Sequence, residues 1–320
     1  MEIVLGKAAF VALTGRPSAG KSTLVNLLCG AKVAIVSAVP QTTRNAVRGI
    51  LTKPEGQLVF VDTPGRHLSE KKLNKKLMEV ADRALDDSEL VLYVLDAARS
   101  PGGEEEAVAA RLRGFQDRTV AAINKCDAAA ANPKKLHEFL DKSLPDLPAS
   151  RRFEISCLKK EGTGPLLACL FGMAAEGEPL YPGEYYTDQD MPFRISEIIR
   201  EKAMVRLREE LPHSIYVDVA DVELRDAASA RAEFPASSSI QADGSGAEKK
   251  RLWVRAFIIT ERESQKGMIV GKGGEMIKAI GRSARKELNS IFDWKVDLDL
   301  RVKTGKDWRH NDRILKKITG

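Results

Sequence analysis

Eight residues near the start of the chain, Gly15-Arg16-Pro17-Ser18-Ala19-Gly20-Lys21-Ser22, match the spacing G-x-x-x-x-G-K-[ST] in full. Those types in that order suit the cradling of a triphosphate. Gly15 and Gly20 let backbone N–H groups curl around phosphate oxygens, and a helix that follows adds the positive end of its dipole. Lys21 is placed to reach the β- and γ-phosphates, and the Ser22 hydroxyl to bind Mg²⁺. Three further motifs follow in order. Asp62-Thr63-Pro64-Gly65 caps the apolar run LVFVD, where the Asp62 carboxylate suits a water-mediated Mg²⁺ contact and the Gly65 N–H suits sensing the γ-phosphate. Asn124-Lys125-Cys126-Asp127 ends the run TVAAIN. A carboxylate such as that of Asp127 accepts two hydrogen bonds from the guanine N1–H and 2-amino groups. Adenine offers no such pair and would leave a carboxylate unpaired, which is costly. Ser156-Cys157 ends a fifth apolar run, where a backbone N–H suits the guanine O6. The polar loop AVPQTTRN supplies Thr42 and Thr43, either of which suits completion of a Mg²⁺ shell; Thr43 is favoured slightly. Together these predict a GTP/GDP and Mg²⁺ site in which Lys21, Thr43 and Gly65 serve the cutting of the γ-phosphate.

A second glycine cluster, GMIVGKGGEMIKAIG at 267–281, differs where the chemistry matters. No Ser or Thr follows its lysine to hold Mg²⁺, and no base-reading motif accompanies it. The arrangement Gly271-Lys272-Gly273-Gly274, flanked by apolar residues on both sides, predicts two helices joined by a tight turn. Small residues there let a sugar–phosphate backbone approach closely, as in KH modules. Ile269 and Val270 would form an apolar floor under bases, and Lys272 and Lys278 would add charge.

These groups must be positioned by regular elements. Residues 8–14, 58–62, 90–96, 119–124 and 152–156 are short apolar runs that read as strands buried on both faces. Helical stretches lie between them at 20–29, 71–86, 103–113, 133–142 and 163–175, which argues for a mostly parallel sheet covered on both sides. A proline- and glycine-rich segment at 177–192 reads as a linker. After it come an amphipathic helix at 193–211 ended by Pro212, half-buried strands at 215–224, 252–259 and 294–302, and a long Ala/Ser/Gly-rich mobile loop at 226–250. The domain expectation is 1–176, linker 177–192, and 193–320.

Composition narrows the partners. The 320 residues carry a net charge of +6. Residues 249–320 hold 19 Lys and Arg against 9 Asp and Glu, and subtraction leaves 32 against 36 for residues 1–248. The basic excess sits in the last quarter, which points to a polyanion there. No apolar run approaches the length of a membrane span, and no secretory signal is evident. The four cysteines show no paired spacing and read as reduced thiols.

With both halves assembled, GRPSAGKSTLVN, PQTTRN, DTPG, NKCD and ERESQKGMIVGKGGEMIKAIGRSAR, together with YPGEYYTDQDMPFRISEIIREK and LPHS, resemble the Era family, bacterial Ras-like GTPases with a C-terminal KH domain. The resemblance spans nearly the whole chain. It implies an α/β P-loop GTPase domain followed by an α+β type II KH domain. It also implies hydrolysis of GTP, binding of the 3′ end of 16S ribosomal RNA, and a part in late maturation of the small ribosomal subunit. The location implied is cytoplasmic, with peripheral contact at most to an anionic inner-membrane surface. Two positions depart from the family. Ser18 stands where relatives usually carry an Asn that helps place a monovalent cation, which leaves potassium stimulation open. Arg66 and His67 follow DTPG where relatives usually carry an apolar residue.

Overall fold

Leu90–Asp96 shows no alternation of apolar and polar residues because both of its faces are covered; all seven positions are buried. In the computed structural model, which describes residues 6–65, 72–226 and 250–319, it is one of several such strands. They are β1 (Gly6–Thr14), β2 (Val47–Lys53), β3 (Gly56–Asp62), β4 (Leu90–Asp96), β5 (Thr119–Asn124), β6 (Arg152–Glu154) and β7 (Ala175–Gly177). Their order is β2-β3-β1-β4-β5-β6, with β7 antiparallel to the start of β1. The pairs β1–β3, β1–β4, β4–β5 and β5–β6 are parallel, and β2–β3 is antiparallel. Helices α1 (Lys21–Cys29), α2 (Lys72–Asp87), α3 (Gly103–Leu112), α4 (Pro133–Ser143) and α5 (Thr163–Met173) join them. The parallel order puts the C-terminal ends of β1, β3, β4 and β5 on one rim, where ligands bind in open α/β sheets.

Edge strand β2 is absent from the sequence expectation. Its pattern is broken by Arg48 and Gly49, so no period shows. Gly49 is required there: a Cβ would lie 2.7 Å from Val25 Cγ1 and 2.8 Å from Cys29 Sγ, so only glycine lets α1 pack on the strand.

The chain divides into two compact units, Met1–Gln189 with Arg309–Gly320, and Asp190–Trp308. The segment expected as a linker is tied down within the first unit. Gln57 exchanges hydrogen bonds with the Tyr181 backbone at 2.8 and 2.9 Å, and the Ile50 N–H donates to the Tyr186 carbonyl at 3.0 Å. The last residues, placed by sequence with the second domain, form α9 (Asp312–Thr319), whose Leu315 is fully buried and which packs against α2 of the first unit.

The second unit comprises α6 (Met191–Arg206), β8 (Tyr216–Arg225), β9 (Arg251–Thr260), α7 (Glu263–Val270), α8 (Glu275–Ile291) and β10 (Lys295–Thr304). Asp190 caps α6, accepting the Phe193 N–H at 2.7 Å. Here the expectation of a helix to 211 is corrected. The helix stops at Arg206 because Leu207 turns extended and inserts into the core, and Glu209 takes φ +56°. The sheet order is β10-β9-β8, with β9 parallel to β10 and antiparallel to β8. One face carries Leu252, Val254, Ala256 and Ile258 against Ile195, Ile199, Ile280, Ala284 and Leu288 of α6 and α8. Strand β9 is also corrected from half-buried to buried on both faces. The Arg225 guanidinium covers Trp253 at 3.9 Å and Lys303 covers Phe257 at 3.3 Å, so charged stems shield the outer aromatics. The interior of the 226–250 loop, like Arg66 and His67, lies outside the described residues.

Candidate functional site

The loop Gly15–Ser22 joins β1 to α1 on the rim of the sheet. Gly20 adopts φ +101°, and a Cβ there would collide with Asn124 Nδ2, so glycine is required twice over. Ser18, exposed at the loop tip, also takes a left-handed backbone at φ +63°. Lys21 is 6% exposed, and its Nζ donates to the Gly15 and Arg16 carbonyls, each at 3.0 Å. Burial lowers its amine to about 8, against the pull of the Asp62 and Glu104 carboxylates. Ala19 is buried, while Pro17 is half-buried beside Gly65; a Cβ at Gly65 would lie 2.7 Å from Pro17 N and 3.1 Å from Lys21 Nζ. The Gly65 backbone therefore rests directly on the phosphate loop.

Three residues distant in sequence converge beside it. The Ser22 hydroxyl donates to Asp62 Oδ2 at 2.6 Å and lies 3.0 Å from Thr43 Oγ1, which reaches the same carboxylate oxygen at 3.4 Å. Asp62 is fully buried at the end of β3, and its Oδ1 has no hydrogen-bond partner. Burial pushes its carboxyl up to about 6, opposed by Ser22, Lys21 and Thr43. Thr42 faces elsewhere, its hydroxyl bonded to Ser37 Oγ and the Val39 carbonyl at 2.6 Å each. Of the two threonines, Thr43 is the one beside Ser22 and Asp62. Thr63 is held by the Leu13 carbonyl at 2.6 Å, and Pro64 is buried behind it.

Asn124-Lys125-Cys126-Asp127 closes the other end of the loop. Asn124 donates to the Ala19 carbonyl at 2.9 Å and accepts the Cys157 N–H at 3.1 Å. Lys125, at φ +65°, donates to the Ser18 carbonyl at 2.8 Å and to Asp96 Oδ2 at 2.7 Å. Asp127 Oδ1 accepts the Ser156 hydroxyl at 2.6 Å, which steadies the carboxylate toward the rim. The Ser156 N–H is taken by the Glu161 carbonyl, so the amides of Ser156 and Cys157 are both engaged within the protein.

In the second unit, α7 and α8 meet at the expected turn. Gly271 has φ +73°, with a would-be Cβ 2.8 Å from Met276 Cβ, and Gly273 has φ +59° with open space around it. Lys272, Gly273 and Lys278 are exposed, and Lys278 Nζ lies 3.4 Å from the Gly273 carbonyl. Gly274 begins α8. Ile269 corrects the expectation: it has 0% exposure and belongs to the core of the unit, so it offers no floor to a ligand. Val270 is half-buried, and its neighbour Met268, 60% exposed, is the apolar side chain presented beside the turn.

Residues 10–125 match a family described as 50S ribosome-binding GTPase, and residues 237–309 match the KH domain. GTPase Era of Treponema denticola is 47% identical over 309 residues, covering 97% of this chain and 98% of that protein. The chain belongs to the Era family of GTPases. GTPase Era of Borreliella afzelii is 41% identical over 313 residues, covering 98% of this chain and 99% of the relative. Among solved structures, Era in complex with MgGDPNP and nucleotides 1506–1542 of 16S ribosomal RNA has TM-score 0.86 at 32% identity, covering 97% of this chain and 98% of that one. An Aquifex aeolicus Era variant bound to GDP·AlF₄⁻ gives TM-score 0.85 at 32% identity and the same coverage.

The Era-family rim fits Mg²⁺ on its own chemistry. Two hydroxyls and a carboxylate form an all-oxygen donor set, suited to a hard cation, and the orphaned Asp62 Oδ1 lacks the partner that a buried carboxylate oxygen needs. Sequence reasoning overlooked one member of the site. Asp96 ends β4 and is 3% exposed; it reads as the polar end of a buried strand and nothing more. Its trace in the sequence is a polar residue closing an apolar run, as Asp62 and Asn124 close theirs.

Proposed function

We propose that this Era-family chain hydrolyses GTP with Mg²⁺ and docks the 3′ end of 16S ribosomal RNA through the Gly271–Gly274 turn, in maturation of the small ribosomal subunit. The observation that carries the hydrolytic half is the convergence of Ser22, Thr43 and Asp62 beside Lys21. Ser22 and Thr43 would hold Mg²⁺, with Asp62 behind them; when bound, the ion supplies charge stabilisation to the transferring phosphoryl group. Lys21 brings a positive charge, and the Gly20 and Lys21 amides at the start of α1 bring oriented dipoles. The Gly65 N–H, lying on the loop, meets the γ-phosphate. With GTP bound, Thr43 would meet the ion and Gly65 the γ-phosphate, so departure of that phosphate would loosen two loops together. Asp127 reads guanine, and Asn124 and Lys125 hold the reader to the phosphate loop.

The RNA half rests on the exposed, left-handed Gly273 and on charge. Lys272 at the turn and Lys278, Arg282 and Arg285 along the exposed face of α8 form a basic track for a phosphate backbone. Multiple-turnover hydrolysis with Mg²⁺ or excess EDTA, and titration of a 16S 3′-end RNA, test the two halves separately. Hydrolysis indifferent to EDTA overturns the metal assignment, and RNA binding indifferent to salt overturns the second. No helix among the described residues is long and apolar enough to cross a membrane. The reading includes a cytoplasmic location with peripheral contact at most to anionic lipid, tested by vesicle sedimentation with RNA as competitor. Hydrolysis in KCl against NaCl measures what Ser18 does to a potassium requirement.

A further inference from the structure

Two cations from different motifs meet on one carboxylate oxygen. Arg16, in the phosphate loop, donates from Nη2 to Asp96 Oδ2 at 3.1 Å, and Lys125, in the base-reading motif, donates to the same oxygen at 2.7 Å. The other oxygen, Oδ1, accepts the Ala98 N–H at 2.9 Å. Glu105 of α3 completes the group, its Oε1 2.9 Å from Arg16 Nε as an ion pair without hydrogen-bond alignment. The side chains of Arg16, Asp96 and Glu105 are 7%, 2% and 5% exposed, while Lys125 is 37% exposed at the rim. Burial pushes the Asp96 carboxyl up, but the hydrogen bonds from Lys125 and Ala98 outweigh it and keep the group charged, below the ordinary carboxylate value.

The arrangement does more than satisfy a strand end. The Arg16 side chain turns away from the loop's cradle into carboxylates, so its charge anchors the loop rather than the ligand. Lys125 bridges the Ser18 carbonyl and Asp96, and Asn124 holds the Ala19 carbonyl. The phosphate loop and the base reader are thus stitched at Arg16, Ser18 and Ala19; the Arg16 stitch runs through Asp96, which also anchors the Lys125 that makes the Ser18 stitch. We infer that Asp96 is a positioning residue of the nucleotide site, fixing the distance between the phosphate cradle and the guanine reader. The inference rests on the guanine-nucleotide reading above. Removing the carboxylate leaves Arg16 with Glu105 and Lys125 with Ser18, so each half survives while their mutual register loosens. That loss weakens ground and transition states alike, so KM rises while kcat holds.

The test uses the full chain with Mg²⁺ and the fluorescent probe mant-GDP. Displacement of mant-GDP from the unmodified protein by GTP and not by ATP checks the guanine reading by itself. With that in hand, Asp96→Asn is expected to speed mant-GDP dissociation and raise the KM for GTP, each about tenfold, with kcat within about twofold, the scale of one charge-assisted hydrogen bond. Because Lys125 acts partly through Asp96, the double variant Asp96→Asn/Lys125→Met is expected to fall short of the product of the single effects by about threefold or more. An unchanged dissociation rate and KM, effects that simply multiply, or a loss confined to melting temperature and active fraction would overturn the assignment. Should Asp96→Asn not fold, Arg16→Gln and Lys125→Met are combined, leaving the carboxylate in place. A departure from the product by about threefold supports the shared anchor, and a multiplicative result overturns it.

Discussion

The Gln189 side chain donates to the Val33 carbonyl at 2.8 Å, across 156 positions of sequence. Val33 opens the loop that carries Thr43. The far end of that loop is held by the same segment, through Thr187 Oγ1 to the Arg48 carbonyl at 2.8 Å, Arg48 to Asp188 at 2.8 Å, and the Ile50 N–H to Tyr186. The chain leaving the first unit therefore brackets both ends of the loop that carries Thr43. Gln189→Ala is expected to cost about 1 kcal/mol, the net worth of one hydrogen bond. Hydrogen-exchange mass spectrometry should show faster exchange in peptides over 33–50. Unchanged protection there would mean that the strap carries no load.

Lys21→Ala removes the buried ammonium that spans the Gly15 and Arg16 carbonyls. GTP affinity measured by calorimetry is expected to drop at least about 100-fold, since a charge-assisted contact to phosphate and the loop's internal brace go together. Binding of a 16S 3′-end RNA by the same variant should stay within about twofold, because no residue of the turn is altered. Retained turnover contradicts the loop's role.

Asp127→Asn keeps the shape of the side chain and the reach of the Ser156 hydroxyl. Preference for GTP over ITP, which lacks the 2-amino group, is expected to fall at least about tenfold in a competition assay. Unaltered preference places base recognition elsewhere.

Gly273→Asp sets a carboxylate at the exposed left-handed position of the turn. RNA affinity is expected to fall at least about tenfold at matched salt, by repulsion from phosphate. Asn tolerates this backbone without the charge, so Gly273→Asn should lose less. Equal losses in the two variants would point to strain, and no loss in either would remove the turn from the RNA interface.

Cys29 is half-buried with its Sγ facing Gly49 of β2, and desolvation alone pushes its thiol from 9.0 up to about 12. A raised value means the folded state resists deprotonation. That contribution to stability is full below pH 9 and is lost as the pH climbs through 12. Iodoacetamide at pH 8 is therefore expected to alkylate Cys29 on the order of a hundredfold or more slower than an exposed thiol. Labelling at the rate of an exposed thiol would show that α1 opens readily from β2.

Much of the site was legible because its parts are local. G-x-x-x-x-G-K-S, D-T-P-G and N-K-C-D each place their chemistry within four to eight residues at a strand end, and backbone geometry there follows from residue type. The buried strands announced themselves by unbroken apolar runs, and the turn of the second unit by glycines at positions with positive φ. Where the pattern was interrupted, the reading failed: β2 hides behind Arg48 and Gly49, and α6 stops at Leu207 rather than at the proline five residues on. Ile269 was misjudged because an apolar residue beside a turn fits a core as well as a ligand surface, and only its place in the core of the second unit decides between them.

The sequence by itself determined which chemical groups this protein owns and the local backbone each one needs, because those depend on neighbours within a few residues. Tertiary structure alone decided which groups meet. Ser22 reaches Asp62 across 40 residues, Arg16 reaches Asp96 across 80, and Gln189 reaches Val33 across 156. Contacts at such separations leave no period or motif in the chain. The first two arise because a parallel sheet brings the C-terminal ends of distant strands to one rim, where Thr43 rather than Thr42 lies beside Ser22 and a strand-end carboxylate gathers two cations; the third arises because the returning segment crosses the loop after α1.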